Sequence, residues 1–204
     1  MSQGFRILGI AGSLRRDSWN RAVLRAAVEL APPGVTLDTF ELGGIPLFNE
    51  DLESPLPAAV VELKQRIRSA DAVLLVTPEY NYSIPGVLKN AIDWASRPYG
   101  DNAWEGKPAA IMGASVGSLG TARAQYHLRQ MMVWLDMHPL NKPEVMIGNA
   151  AEKFGPSGQL TDRMTRQFIR HQLEALVAWS RRLRAPAASG PERAAGRQPH
   201  TQAV

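Results

Sequence analysis

The stretch AVLLVTPEYNYSIPG, residues 72–86, decides the fold. Ala72 to Val76 is apolar without polar alternation, which predicts a strand buried on both faces, as at the centre of a parallel sheet. Thr77 to Ile84 then reads as a loop stiffened by Pro78 and closed by Pro85-Gly86. From about Pro85 to Ser96, Val87, Leu88, Ala91, Ile92 and Ala95 recur at helical spacing. A buried parallel strand needs neighbours joined to it by crossovers, so strand–loop–helix units should repeat on either side.

They do. Toward the N-terminus, Phe5 to Ala11 is a short apolar run ending at Gly12-Ser13, and Asn20 to Ala31 carries Val23, Ala26, Ala27 and Leu30 at helical spacing before Pro32-Pro33-Gly34 stops it. Val35 to Leu42 alternates as a second strand would, and Pro57 to Ser69 is helical, with Val60, Val61, Leu63, Lys64 and Ile67. Toward the C-terminus, Ala109 to Ala114 predicts a fourth strand and Thr121 to Leu135 a long helix. Val145 to Ile147 predicts a short fifth strand, and Asp162 to Leu183 a closing helix. Five such alternations call for a three-layer α/β sandwich, a five-stranded parallel sheet with helices on both faces.

The 204 residues, 45% of them hydrophobic, suit one domain over 1–184. From Ala185 to Val204 the chain is Ala, Pro, Gly, Ser and Arg without periodicity, the composition of a disordered tail. The net charge of +4 is modest and concentrates near the end, at Arg181, Arg182, Arg184, Arg193 and Arg197, which is a basic tail and not a nucleic-acid stripe. No stretch approaches the roughly 20 apolar residues that cross a bilayer, and the N-terminus lacks a signal-peptide core, so a soluble, cytoplasmic protein is expected. Absent cysteine excludes disulfides, thiolate nucleophiles and cysteine-held metals. His127, His138, His171 and His200 have no metal-ligand spacing, so no metal site is expected. Redox chemistry in such a chain must come from a borrowed cofactor.

In open parallel sheets, ligands bind beyond the carboxyl ends of the strands, which singles out three loops. The first, Gly12 to Asn20, enters a helix N-terminus, where free N–H groups favour a phosphate. Ser13, Ser18 and Asn20 add short donors there, and Arg15 a charge-assisted one. Neither a triphosphate-binding nor a dinucleotide-binding glycine fingerprint occurs, which favours a mononucleotide such as FMN. The second loop offers a stiff backbone and two tyrosines to a planar heterocycle. The third, Ser115 to Gly120, has glycines that let N–H groups approach a ligand closely.

Three segments carry a family resemblance. They are Gly12-Ser13-Leu14-Arg15 with Ser18 and Asn20; Pro78 to Gly86 with the following Leu88 to Trp94; and Gln125 to Gln130. Together they resemble the NADPH-dependent FMN reductase family, and within it the bacterial chromate and quinone reductase branch. The similarity spans about Arg6 to Leu183 and leaves the tail without a counterpart. It implies a flavodoxin-like sheet of order 2-1-3-4-5 and non-covalent FMN. Ser13, Arg15, Ser18, Trp19 and Asn20 would lie around its phosphate, and Pro78, Glu79, Tyr80, Asn81 and Tyr82 along its ring edge, with Ser115 and Gly117 completing the ring site. It further implies a homodimer or homotetramer in which Tyr82, Arg123, Tyr126 and Glu144 form a network between subunits near the flavin. Ala114 and Ser118 fall where relatives vary, which touches acceptor choice.

The activity so implied is ping-pong. NADPH or NADH delivers hydride to flavin N5, and a small-molecule acceptor takes two electrons from the same face; the residues position the cofactor and none is a nucleophile. Quinones are the favoured acceptors, with chromate, azo compounds, ferric complexes or free flavin as others. A flavodoxin-type single-electron carrier is the alternative, against which Arg15, Arg16 and the positive charge speak. A flavin-free interaction module is a third reading.

Overall fold

The computed structural model describes residues 4–184. Its strands are β1 (Phe5–Ala11), β2 (Val35–Phe40), β3 (Ala72–Val76), β4 (Pro108–Ala114), β5 (His138–Pro139) and β6 (Val145–Ile147). Between them run α1 (Trp19–Glu29), α2 (Ala58–Ser69), α3 (Gly86–Ser96), α4 (Ala122–Trp134) and α5 (Arg163–Arg184). The tail from Ala185 lies outside the described residues. All strand pairs are parallel and the order is β2-β1-β3-β4-β5, with β6 also on β4. This is the three-layer sandwich expected from the alternation, in the flavodoxin-like strand order that the family resemblance implies. No helix among the described residues is long and apolar enough to cross a membrane.

Every residue of β3 is buried, and neighbours along it enter different cores. Leu74 and Val76 join Ile7, Val23, Met112, Leu173 and Leu176 under α1 and α5. Val73 and Leu75 join Leu8, Ile10, Leu63, Ile67, Leu88, Ile111 and Leu128 under α2, α3 and α4. A strand with a core on each side has no face for polar residues, which is why 72–76 lacks alternation. Each such side chain contributes about 1.5–3 kcal/mol on full burial. Lys64, on the buried face of α2, is 2% exposed, and its ammonium is satisfied by the Arg97 and Asp101 carbonyls and the Asp101 carboxylate.

The fifth strand differs from the expectation of a single run at Val145–Ile147. Its position is shared: His138 and Pro139 pair with Pro108 and Ala109, and Val145–Ile147 pair with Met112–Ala114. From Ala109 to Met112 β4 advances three residues while the chain opposite advances six, from Pro139 to Val145, so the ladder breaks between them, and Pro143, which lacks an N–H, lies in the break. A helix side chain fills the break. Gln172, 1% exposed on α5, donates its amide to the carbonyls of Ile111 (3.0 Å) and Pro143 (2.8 Å). From the other face, Gln125 of α4 donates to the Val145 carbonyl at 2.9 Å.

α5 starts at a cap of its own. Asp162 accepts from the Thr165 hydroxyl at 2.6 Å and the Thr165 N–H at 2.8 Å. The hydroxyl bond foremost, then the N–H bond, holds the Asp162 carboxyl below its ordinary 3.8.

Two outcomes follow from these contacts. Gln172→Leu removes the donor to the buried Ile111 carbonyl and to the half-buried Pro143 carbonyl and should destabilise the fold by about 1–3 kcal/mol, seen as a lower urea midpoint at unchanged slope. For Asp162, a carboxyl depressed by folding stabilises fully above its unfolded value of 3.8 and loses that contribution as pH falls through the lower folded value. The melting temperature of Asp162→Asn should therefore lie below that of the parent at pH 7, and the gap should narrow as the pH drops below 3.8.

Candidate functional site

The sheet register brings the three loops to one edge. Ala11 lies beside Val76, and Val76 beside Met112. Just beyond, the Gly12 N–H donates to the Val76 carbonyl (2.8 Å), the Thr77 N–H to Met112 (2.9 Å) and the Ser115 N–H to Ile147 (3.0 Å). β1 and β3 flank the point where strand order reverses, so the loops open where such sheets take ligands. Two glycines permit the closeness. A Cβ at Gly113 would collide with the Thr77 carbonyl and the Thr121 hydroxyl. Gly120 has a left-handed φ of +63° and presses its backbone against Met146 and Ile147.

In the first loop, Ser18 caps α1, its hydroxyl accepting from the Asn20 N–H at 3.2 Å. Asn20 is 2% exposed, and its side chain bonds both the N–H (2.8 Å) and the C=O (2.9 Å) of Ala114. Its amide is thus committed to β4, and what it lends the loop is position. Ser13 is buried, yet its hydroxyl has no hydrogen-bond partner among the described residues. Nor does any backbone N–H from Ser13 to Asp17 find an acceptor there. Arg15 and Arg16 are exposed and have no acidic partner within 4 Å among those residues. Trp19 is half-buried, its ring centroid 5.1 Å from that of Phe154. Beside it, a cavity of about 310 Å³ is lined by Arg15, Ser18, Trp19, Arg25 and the Gly155–Gly158 turn. The string Gly155-Pro156-Ser157-Gly158 announces a turn in the sequence, but nothing local says that it returns to α1.

The second loop is a two-residue hairpin. Tyr80 and Ser83 exchange N–H to C=O bonds of 2.9 Å, and Asn81 (φ 50°) and Tyr82 (φ 64°) are both left-handed. Asn tolerates that conformation. For Tyr82 it costs about 1–3 kcal/mol, and the ring is nonetheless 65% exposed. Pro78 is buried, and Tyr80 is half exposed. Glu79 turns inward, its side chain 6% exposed. One carboxylate oxygen accepts from the N–H groups of Arg123 (3.0 Å) and Ala124 (3.2 Å), and the other pairs with the Arg123 guanidinium. That guanidinium lies over the Tyr82 ring, 3.8 Å from its centroid. The Glu79 carboxylate therefore holds α4, and the backbone of Glu79 is what this residue leaves for a ligand.

Of the proposed subunit network, one chain brings Tyr82 and Arg123 together and sets Tyr126 a turn further along α4, half exposed. Glu144 faces Arg129, at 3.8 Å, within the same chain. His127, which the sequence left unassigned, meets the Ser83 hydroxyl through Nδ1 at 2.9 Å. Its spacing of four from Arg123 places both on one helix face.

In the third loop, the Ser115 hydroxyl accepts from the Gly117 N–H at 3.2 Å. Val116, Ser118 and Leu119 are exposed, and their N–H groups have no backbone acceptor among the described residues. These features fit FMN. N–H groups unpaired among the described residues and the Ser13 hydroxyl suit a phosphate, while those of Glu79, Asn81 and Tyr82, likewise unpaired there and at the same end of the sheet as the third loop, suit a ring with polar atoms on its rim. No group of three His, Asp or Glu among the described residues could hold a metal ion.

Comparison with known proteins identifies the family. The family model described as NADPH-dependent FMN reductase matches residues 5–152. An NAD(P)H-dependent FMN reductase of Pseudomonas aeruginosa is 56% identical over 185 residues, covering 90% of this chain and all of that protein. A 2-hydroxy-1,4-benzoquinone reductase of a Burkholderia species is 44% identical over 176 residues, covering 86% of this chain and 96% of the other. Among solved structures, FerB, a flavoenzyme NAD(P)H:(acceptor) oxidoreductase from Paracoccus denitrificans, superposes with a TM-score of 0.81 at 40% identity, covering 87% of this chain and 98% of its own. The chain belongs to the NADPH-dependent FMN reductase family, as an oxidoreductase that works with FMN and NAD(P)H.

Proposed function

We propose that this chain reduces quinones with electrons from NADPH or NADH. The observation that carries the reading is the row of N–H groups from Ser13 to Asp17, unpaired among the described residues, beside the accessible Ser13 hydroxyl. A close relative named as a benzoquinone reductase supports the acceptor class. Bound FMN supplies the two-electron relay between nicotinamide and quinone. The residues bind and orient it. The Ser13 hydroxyl, the first-loop N–H groups and Arg15 hold the phosphate, framed by Ser18, Trp19 and Asn20. The backbone of Pro78, Glu79, Tyr80, Asn81 and Tyr82 holds one edge of the ring, and Ser115 and Gly117 close the other. The N–H groups of Val116, Ser118 and Leu119 in the third loop, unpaired among the described residues, favour negative charge on the reduced ring.

Chromate, azo compounds, ferric complexes and free flavin are further acceptors in this proposal, and the cytoplasm its compartment. The working assembly is a homodimer or homotetramer in which Tyr82, Arg123, Tyr126 and Glu144 meet across the interface. The exposure of Tyr82, Tyr126, Val133 and Trp134 supports a buried role for this side in an assembly.

Under anaerobic conditions, NADPH or NADH should bleach the bound FMN, and 1,4-benzoquinone should restore its colour; holoprotein that neither nicotinamide bleaches would overturn the proposal. Arg15→Ala should weaken FMN binding by the about 1.5–3 kcal/mol of a charge-assisted bond, read from quenching of FMN fluorescence.

A further inference from the structure

We propose that Glu79 is a positioning residue for the ring site, a latch whose charge fixes Arg123 against Tyr82 and so tunes the bound flavin; the inference rests on the FMN-dependent reading above. Three observations point to it. A carboxylate with a 6% exposed side chain is costly to bury unless it is paired, and Glu79 is paired with three groups of one short segment: the Arg123 N–H, the Ala124 N–H and the Arg123 guanidinium. α4 needs it, because its own cap residue, Thr121, makes no side-chain capping bond. A residue 44 positions earlier in the chain therefore caps this helix.

The second observation is the left-handed Tyr82. Glycine is the residue such a turn ordinarily takes, and a tyrosine persists there only where its surroundings hold it. The contact that holds its ring is the guanidinium of Arg123, and the group that holds the guanidinium is Glu79. The third is the second clamp, Ser83 to His127, which fastens the far side of the same hairpin to the same helix. With both clamps closed, the second loop and the start of α4 move as one piece, and the third loop enters α4 directly. The latch thus fixes the spacing between the two loops that flank the ring, with a balanced pair of charges at its centre.

Charge balance makes the proposal testable apart from folding. Glu79→Gln keeps the shape but leaves Arg123 uncompensated, which favours the reduced, negatively charged ring and should shift the midpoint potential of bound FMN upward. Arg123→Met leaves Glu79 uncompensated and should shift it downward, and the double variant should return close to the parent. In the same variants the dissociation constant of FMN should rise about tenfold in each single change, with no further loss in the double, because both act through one contact. Melting of each holoprotein checks that it is folded. Potentials that move in the same direction in both single variants, or not at all, would overturn the latch while leaving the quinone reductase reading intact. Parent protein that binds no FMN would overturn that reading, and the latch with it.

Discussion

The functional edge depends on one side chain, the amide of Asn20. β4 ends at Ala114, where a strand neighbour would ordinarily take up the last N–H and C=O. Asn20 takes both, so the first turn of α1 is fastened to the exit of β4 as a strand would be. Ser18 caps the helix through the N–H of that same residue. The loop before α1 and the loop after β4 therefore have a fixed separation, and a ligand spanning them meets donors already in place.

The architecture is largely legible in the sequence. Ala72–Val76 reads as a doubly buried strand because its two cores leave no face for polar residues, and the crossover requirement supplies the rest. Helix ends agree to within a residue or two, since Pro32-Pro33, Pro57 and Pro85 punctuate the chain. The split fifth strand was not legible, because β5 is two residues long and the break after it is bridged by Gln172, whose partners Pro143 and Ile111 lie 29 and 61 positions away. In the site, residue types were easier to read than the direction of side chains. The side chains of Asn20 and Glu79, read from the sequence as lying around a ligand, are bonded to protein partners 94 and 44 positions distant. Pattern and spacing report on neighbours along a helix or strand; they carry nothing about such long-range bonds.

The second loop shows how a site can hold a conformation that its own residues disfavour. Asn81 is an ordinary occupant of a left-handed position and Tyr82 is not. Its ring is kept in place from outside the hairpin, by groups on α4, so the shape of this loop is a property of the packed domain and not of the segment 80–83. Stiffness here serves orientation, because a planar cofactor bound by its edge tolerates little play.

The detour between β5 and β6 also has a bearing on how copies of the chain can meet. That border of the sheet is short and broken: β5 offers two residues and β6 three, and Pro139 and Pro143 have no N–H to donate. A border so interrupted is a poor template for a visiting strand. Such an edge favours self-association through helix surfaces, whose side chains can be changed one by one, and lowers the risk of open-ended stacking there.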